Sequence, residues 1–159
     1  MRIPACSVPM RFSHQVQYAI CGVFDLAYNG RGAPVQIRMI SERQAIPSRY
    51  LEQIFQRLRR AGLVTSKRGP GGGYTLSRSP DRITLRDVIE AVEGPFADTL
   101  QMRAASPRGA TPYRPDFLWA LLADRFGSVL DETSLEVLCG AATRAQVERA
   151  EGEPPMYFI

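Results

Sequence analysis

Histidine and lysine are almost absent from this chain of 159 residues, which has one of each, His14 and Lys67. Cysteine is scarce too: Cys6, Cys21 and Cys139 stand far apart. An odd number at wide spacing does not make a disulfide framework, and no pair has the close spacing of a structural zinc site. No nucleophile is found beside a recognisable base. The glycine run that ends at Gly73 lacks the Lys-Ser/Thr pair and following helix of a nucleotide-phosphate loop. These absences argue against an enzyme, with no catalytic residue and no metal ligand expected. No apolar run approaches the roughly 18 residues that span a bilayer, and the amino terminus lacks a signal-like apolar segment. The expectation is a cytoplasmic protein with no membrane contact.

What is abundant is arginine. Of the 20 basic residues all but one are arginine, and the formal net charge is +4. Between Met10 and Arg78 there are eleven basic and three acidic residues, a net of +8; from Ser79 onward there are eight and thirteen, a net of −5. A basic first half beside an acidic second half points to a polyanionic partner for the first half. Guanidinium suits phosphate, because its planar donor fork matches phosphate oxygens.

Apolar spacing divides the chain. Residues 1–9 read as a flexible arm or as a stretch upstream of a start at Met10. Ser13 caps a helix whose stripe is Val16, Ala19, Ile20, Val23, Phe24 and Ala27, stopped at Asn29-Gly30. Val35 is expected to pair as a very short strand. A second helix is expected over Ile37–Gln44, and a third, capped by Ser48, carries Leu51, Ile54, Phe55 and Leu58 inward. Two short amphipathic helices joined at Ala45-Ile46-Pro47 predict a helix-turn-helix. Strands over Leu63–Lys67 and Tyr74–Ser77 flank the glycine tip and make a hairpin wing. Thr84 with Asp87 forms a capping box for a fourth helix ending at Gly94.

Composition shifts at Pro95, and residues 95–115 read as a proline-containing linker. From Asp116 a strong helix carries Phe117, Leu118, Leu121, Leu122, Arg125, Phe126, Val129 and Leu130, with Trp119 beside them. That face needs a partner in water. Ser134 caps a last short helix, and 151–159 is a tail. The expected fold is mainly α with a small β-wing: a winged helix-turn-helix domain over 10–94, followed by dimerisation helices over 116–150.

The segment Ser48 to Phe55, the wing Arg68-Gly69-Pro70-Gly71-Gly72-Gly73-Tyr74 and the stretch Ile83 to Gly94 together resemble the bacterial winged-helix regulators of the IscR, NsrR and CymR type. The resemblance runs from Met10 to about Gly94 and continues more weakly through the helix after Asp116. It implies a homodimeric transcription regulator, a repressor, that binds a pseudo-palindromic operator in double-stranded DNA. The third helix would enter the major groove with Ser48, Arg49, Tyr50, Glu52, Gln53, Arg57 and Arg59. The wing would reach the minor groove, with Arg68 entering it; Lys67, Gly71 and Gly72 are further DNA-binding candidates there. Glu52 can accept from a cytosine amino group and Gln53 can pair with adenine; Arg68 suits a narrow A·T minor groove. Phe117, Leu118, Leu121, Leu122, Phe126 and Val129 would pack across the two-fold axis.

Alternatives stay open on the residues themselves. Glu52 also reads as a solvated acid, Arg57, Arg59 and Arg60 as a solvated face, and Tyr50 and Tyr74 as packing residues. Cys21 reads as a small core residue, a redox-active thiol or a metal ligand. Cluster-binding members of the family carry three cysteines in the loop before the dimerisation helix. Residues 95–115 here contain neither cysteine nor histidine, so no cofactor, and no iron–sulfur cluster in that loop, is expected. A winged-helix adaptor controlled by a protein partner is the alternative function, beside a thiol- or metal-responsive sensor using Cys21.

Overall fold

The computed structural model describes residues 12–96, 112–113, 115 and 117–151. The expected arm at 1–9, the linker over 97–111, the helix start at Asp116, the side chain of Trp119 and the tail beyond 151 lie outside the described residues. The order is α1 (His14–Gly30), α2 (Ile37–Gln44), α3 (Ser48–Arg60), β1 (Val64–Lys67), β2 (Gly73–Leu76), a 3-10 turn (Pro80–Arg82), α4 (Leu85–Glu93), α5 (Phe117–Glu132) and α6 (Leu135–Arg144). No described helix is long and apolar enough to cross a membrane.

The Ser13 hydroxyl accepts from the Val16 N–H at 3.2 Å and so starts α1 as expected. The helix ends at the expected Asn29-Gly30, where Arg31 in the left-handed region (φ 47°) follows it. Val16, Ala19, Val23 and Leu26 are buried along one stripe. The turn after α2 is tight. Ala45 takes φ 52°, Ser41 Oγ donates to the Ile46 carbonyl at 2.6 Å, and the Ile46 N–H donates to the Ser41 carbonyl at 3.1 Å. Ser48 does not cap α3: Pro47 holds that position and Ser48 is the first helical residue. Proline before a helix presets the chain direction, so a side-chain cap is dispensable.

Leu51, Ile54, Phe55 and Leu58 turn α3 into a core shared with Val23 and Leu26 of α1, Val88 and Val92 of α4, and Ile83. A second, smaller cluster joins Val16, Ile89, Phe96 and Leu130, with Phe126 packed against it. Asp25, wholly buried, locks α2 to α1. It accepts from Arg43 Nη2 at 2.6 Å, Arg43 Nε at 2.9 Å, Gln44 Nε2 at 3.0 Å and Asn29 Nδ2 at 3.1 Å.

The wing is an antiparallel pair in the register Val64↔Leu76 to Lys67↔Gly73. Both strands begin within one residue of the expected starts. Val35 adds the expected short bridge: its N–H donates to the Tyr74 carbonyl at 2.9 Å, and the Tyr74 N–H donates back to the Val35 carbonyl at 2.8 Å. The Tyr74 ring meets Phe55 edge-on at 5.0 Å, tying the wing to α3. Gly73 makes the approach feasible. Its φ is +147°, and a Cβ there would fall 2.5 Å from the Val35 carbonyl oxygen.

The capping box of α4 is present: Thr84 Oγ1 accepts from the Asp87 N–H at 3.2 Å, and Asp87 accepts from the Thr84 N–H at 3.0 Å. The junction of α5 and α6 is stitched to this same point. The Leu85 N–H donates to the Thr133 carbonyl at 2.9 Å, and the Leu135 N–H to the Ile83 carbonyl at 2.8 Å. Arg86 spans the joint, reaching Glu90 at 3.2 Å and Asp131 at 2.7 Å. After α6 the chain crosses the end of α1, where the Tyr28 hydroxyl donates to the Val147 carbonyl at 2.9 Å and Arg149 stacks on the Tyr28 ring.

Candidate nucleic-acid interface

With four residues buried on one side, α3 presents the rest of its circumference to solvent. On a helical wheel the exposed arc is centred on Arg49 and Arg60, with Gln56 and Gln53 equally placed to either side, all exposed. Ser48, Glu52 and Arg59 occupy one flank. Tyr50, Gln53 and Arg57 occupy the other, beside the start of α1. Gln56, Arg59 and Arg60 border a groove whose far side is Tyr74 of the wing. Arg59 and Arg60 of α3 are therefore carried to the same groove as the wing.

Gln56 is an addition to the expected DNA-facing residues, although the buried stripe already places it on the exposed arc, and Arg60, open between phosphate contact and a solvated face, stands mid-arc. Arg57 is different from its neighbours. Its Nη1 donates to Gln15 Oε1 at 2.7 Å and to the Val92 carbonyl at 3.0 Å, so part of its hydrogen-bonding capacity braces α3 against α1 and α4. Tyr50 is 52% exposed, with its ring 6.2 Å from that of Tyr18. It is not core. Tyr74 is half-buried against Phe55 and belongs to the wing's packing.

At the wing, Lys67, Arg68, Gly69, Pro70 and Gly71 are exposed. Gly69 and Gly71 take φ +90° and +68° with open space about them. Gly72 departs from expectation. It is buried, its N–H donates to the Gly69 carbonyl at 2.9 Å, and a Cβ there would lie 2.4 Å from the Lys67 carbonyl oxygen. Gly72 builds the turn and is not available to a ligand.

The expected dimer face also divides. Phe117, Leu121 and Val129 are 73%, 44% and 58% exposed along one side of α5, with Leu118 and Leu122 half-buried between them. Phe126 points the other way, into the cluster with Ile89, Phe96 and Leu130, and this correction follows from the helical turn. Arg125, counted with the apolar stripe, is exposed. Cys21 and Cys139 are half-buried free thiols. Burial pushes both thiols up; beside Cys139, Arg149 partly opposes this. A thiol held protonated is a poor nucleophile, so the environment of Cys21 is not that of an activated sensor.

A helix-turn-helix, an arginine-bearing exposed helix face and a glycine-tipped hairpin beside it define a winged-helix DNA-binding protein. A family model, Rrf2, described as an iron-dependent transcriptional regulator, matches residues 12–141. Among its relatives, the HTH-type transcriptional regulator IscR of Xenorhabdus nematophila is 41% identical over 129 residues, covering 81% of this chain and 79% of that protein. The IscR of Aliivibrio salmonicida is 41% identical over 126 residues, covering 79% and 75%. Of solved structures, CymR, the global cysteine regulator of B. subtilis, superposes with a TM-score of 0.70 at 34% identity, covering 83% of this chain and 98% of that one. T. potens IscR does so at 0.69 and 33%, covering 94% and 98%. The chain belongs to the Rrf2 family. It is a DNA-binding transcription regulator, and its family and relatives are regulators, not enzymes.

The family's description implies iron, and neither the described donors nor the sequence of residues 95–115 fits it. Among the described residues no three or more His, Cys, Asp or Glu side chains gather where they could hold a metal ion. Residues 95–115 offer one carboxylate, Asp98, and no thiol or imidazole, whereas iron–sulfur clusters are held by thiolates with occasional histidine.

Proposed function

We propose that this protein acts as a homodimer on a pseudo-palindromic operator and represses transcription there. The dimer reading rests on α5. Its inner side is engaged with Ile89 and Phe96, while its outer side exposes Phe117, Leu121 and Val129, with Leu118 and Leu122 half-buried beside them. A contiguous apolar strip of this kind marks an interaction surface, and a second copy supplies a self-complementary one. Two-fold symmetry in the protein then matches two-fold symmetry in the operator, with half-sites about one helical turn apart, roughly 34 Å.

In this reading α3 lies in the major groove. Arg49, Arg59 and Arg60 neutralise phosphates, joined by the free donors of Arg57 and by the Ser48 and Tyr50 hydroxyls. Glu52 accepts from a cytosine amino group, and Gln53 and Gln56 present amides to base edges. Lys67 and Arg68 carry charge at the wing, with Arg68 entering the minor groove, and exposed Gly71 lets the backbone close on the duplex. The observation that supports these roles is the groove that Gln56, Arg59 and Arg60 of α3 share with Tyr74 of the wing.

Footprinting of the purified protein on genomic fragments tests the proposal, paired with sedimentation of the complex and in vitro transcription from the protected promoter. Two subunits per symmetric footprint and reduced transcript are expected. One subunit per site would end the dimer reading, and raised transcript would end repression.

A further inference from the structure

A cleft of about 290 Å³ lies between the start of α1 and the outer flank of α3. Tyr18 and Tyr50 form its aromatic walls, with ring centroids 6.2 Å apart and planes tilted by 42°. His14, edge-on to Tyr18 at 5.8 Å, closes one end, and buried Ile54 lies beneath. Arg57 completes the lining beside Gln15. Its guanidinium is held in place by Gln15 Oε1 and the Val92 carbonyl, yet among the described residues it forms no salt bridge, and no carboxylate lines the cleft.

An anchored cation outside any salt bridge among the described residues, an aromatic wall, an apolar floor and a volume at the lower end of ligand sites together select a small flat anion. We infer that this cleft binds a single-ring aromatic carboxylate, with the ring laid against the exposed face of Tyr50 and the carboxylate on Arg57. Ring stacking and the charged hydrogen bond each contribute to affinity. Tyr50 and Gln53 belong both to the cleft and to the flank of the DNA-facing arc, so an occupant restrains side chains that the operator also needs. The regulatory part of this inference rests on the DNA-contact roles proposed above.

The test uses amide chemical-shift titrations of the full chain without DNA, with benzoate, benzamide, acetate and inorganic phosphate as probes. Benzoate is expected to give saturable shifts confined to residues 14–18 and 50–57, with the other three probes at least tenfold weaker. Arg57→Gln is expected to weaken benzoate at least tenfold, and Tyr50→Ala severalfold. Tyr50 is exposed, so the second variant decides the matter if the first fails to fold. Equal responses to acetate or phosphate would make this a plain anion site and overturn the inference, as would shifts elsewhere or unchanged binding in Tyr50→Ala. With operator DNA present, benzoate is expected to lower operator affinity severalfold. Intact benzoate binding without that effect would refute the regulatory part. Intact benzoate binding with no operator binding at all would refute the DNA-contact roles and leave the cleft standing.

Discussion

Arg43 holds Asp25 in a two-pronged grip, Nη2 to Oδ1 at 2.6 Å and Nε to Oδ2 at 2.9 Å. The carboxylate is wholly buried, whereas the guanidinium keeps 23% of its surface in water. That asymmetry decides which partner is dispensable. Removing Arg43 strands a buried charge; removing Asp25 leaves a cation that can turn to solvent. Arg43→Met is therefore expected to lower stability by about 3 kcal/mol, and Asp25→Ala by less. Urea melts of the two variants check the order, and the reverse order would contradict this account.

Gly73 and Gly71 separate two uses of glycine in one hairpin. Gly73→Ala drives a methyl into the Val35 backbone and is expected to detach the wing. Operator affinity should fall by tenfold or more. Gly71→Ala meets open space and bears only the left-handed backbone penalty of about 1 kcal/mol. Fluorescence anisotropy with operator DNA, read beside thermal melts, separates the two.

Phosphate contacts show in salt dependence. Each of Arg59→Gln and Arg60→Gln is expected to reduce the slope of log affinity against log salt by about 1, with base preference kept. Arg144→Gln, on α6 away from the arc, should leave the slope unchanged. Glu52→Ala should instead alter selectivity among operator variants and leave the salt slope nearly as it was.

On α5, Leu121→Glu puts a charge into the exposed apolar strip while leaving the Phe126–Leu130 side untouched. Sedimentation at micromolar concentration is expected to show monomer with an unchanged helical spectrum. A dimer that persists would move the interface elsewhere.

Burial raises the thiol pKa of Cys21 and of Cys139. A raised folded value means that the native state keeps its proton longer than the unfolded chain. The associated stability is whole below the unfolded thiol's pKa and is lost as pH rises through the folded value. Near neutral pH, iodoacetamide should label both cysteines of the folded protein more slowly than the same cysteines in urea, and the gap should narrow as pH rises. Faster labelling of the native form would restore Cys21 as a sensor.

Local signals were legible in the sequence because local geometry determines them. Ser13 over Val16 and Thr84 with Asp87 cap their helices where spacing put them, and the stripe Leu51, Ile54, Phe55, Leu58 is the buried face of α3. Residues whose partners lie far along the chain were not legible. Arg57 reads as a surface cation until Val92, 35 residues away, accepts from it. Asp25 reads as a helix acid until Arg43 arrives. Phe126 shares its hydrophobicity with Leu121, and only the packing of α4 and Phe96 decides which of them faces inward. Gly72 and Gly73 look interchangeable with Gly71, and the difference is set by carbonyl oxygens that no residue name reveals.

The joint at Ile83, Leu85, Thr133 and Leu135 is made of peptide groups, two N–H donors and two carbonyls. Side-chain drift cannot erase it, though a proline at Leu85 or Leu135 would. In a paired molecule this hinge-free weld fixes the angle at which α5 leaves the reading head, and hence the distance between two reading heads. Half-site spacing would then be inherited as backbone geometry, and lineages could rewrite the bases they recognise while keeping the same ruler.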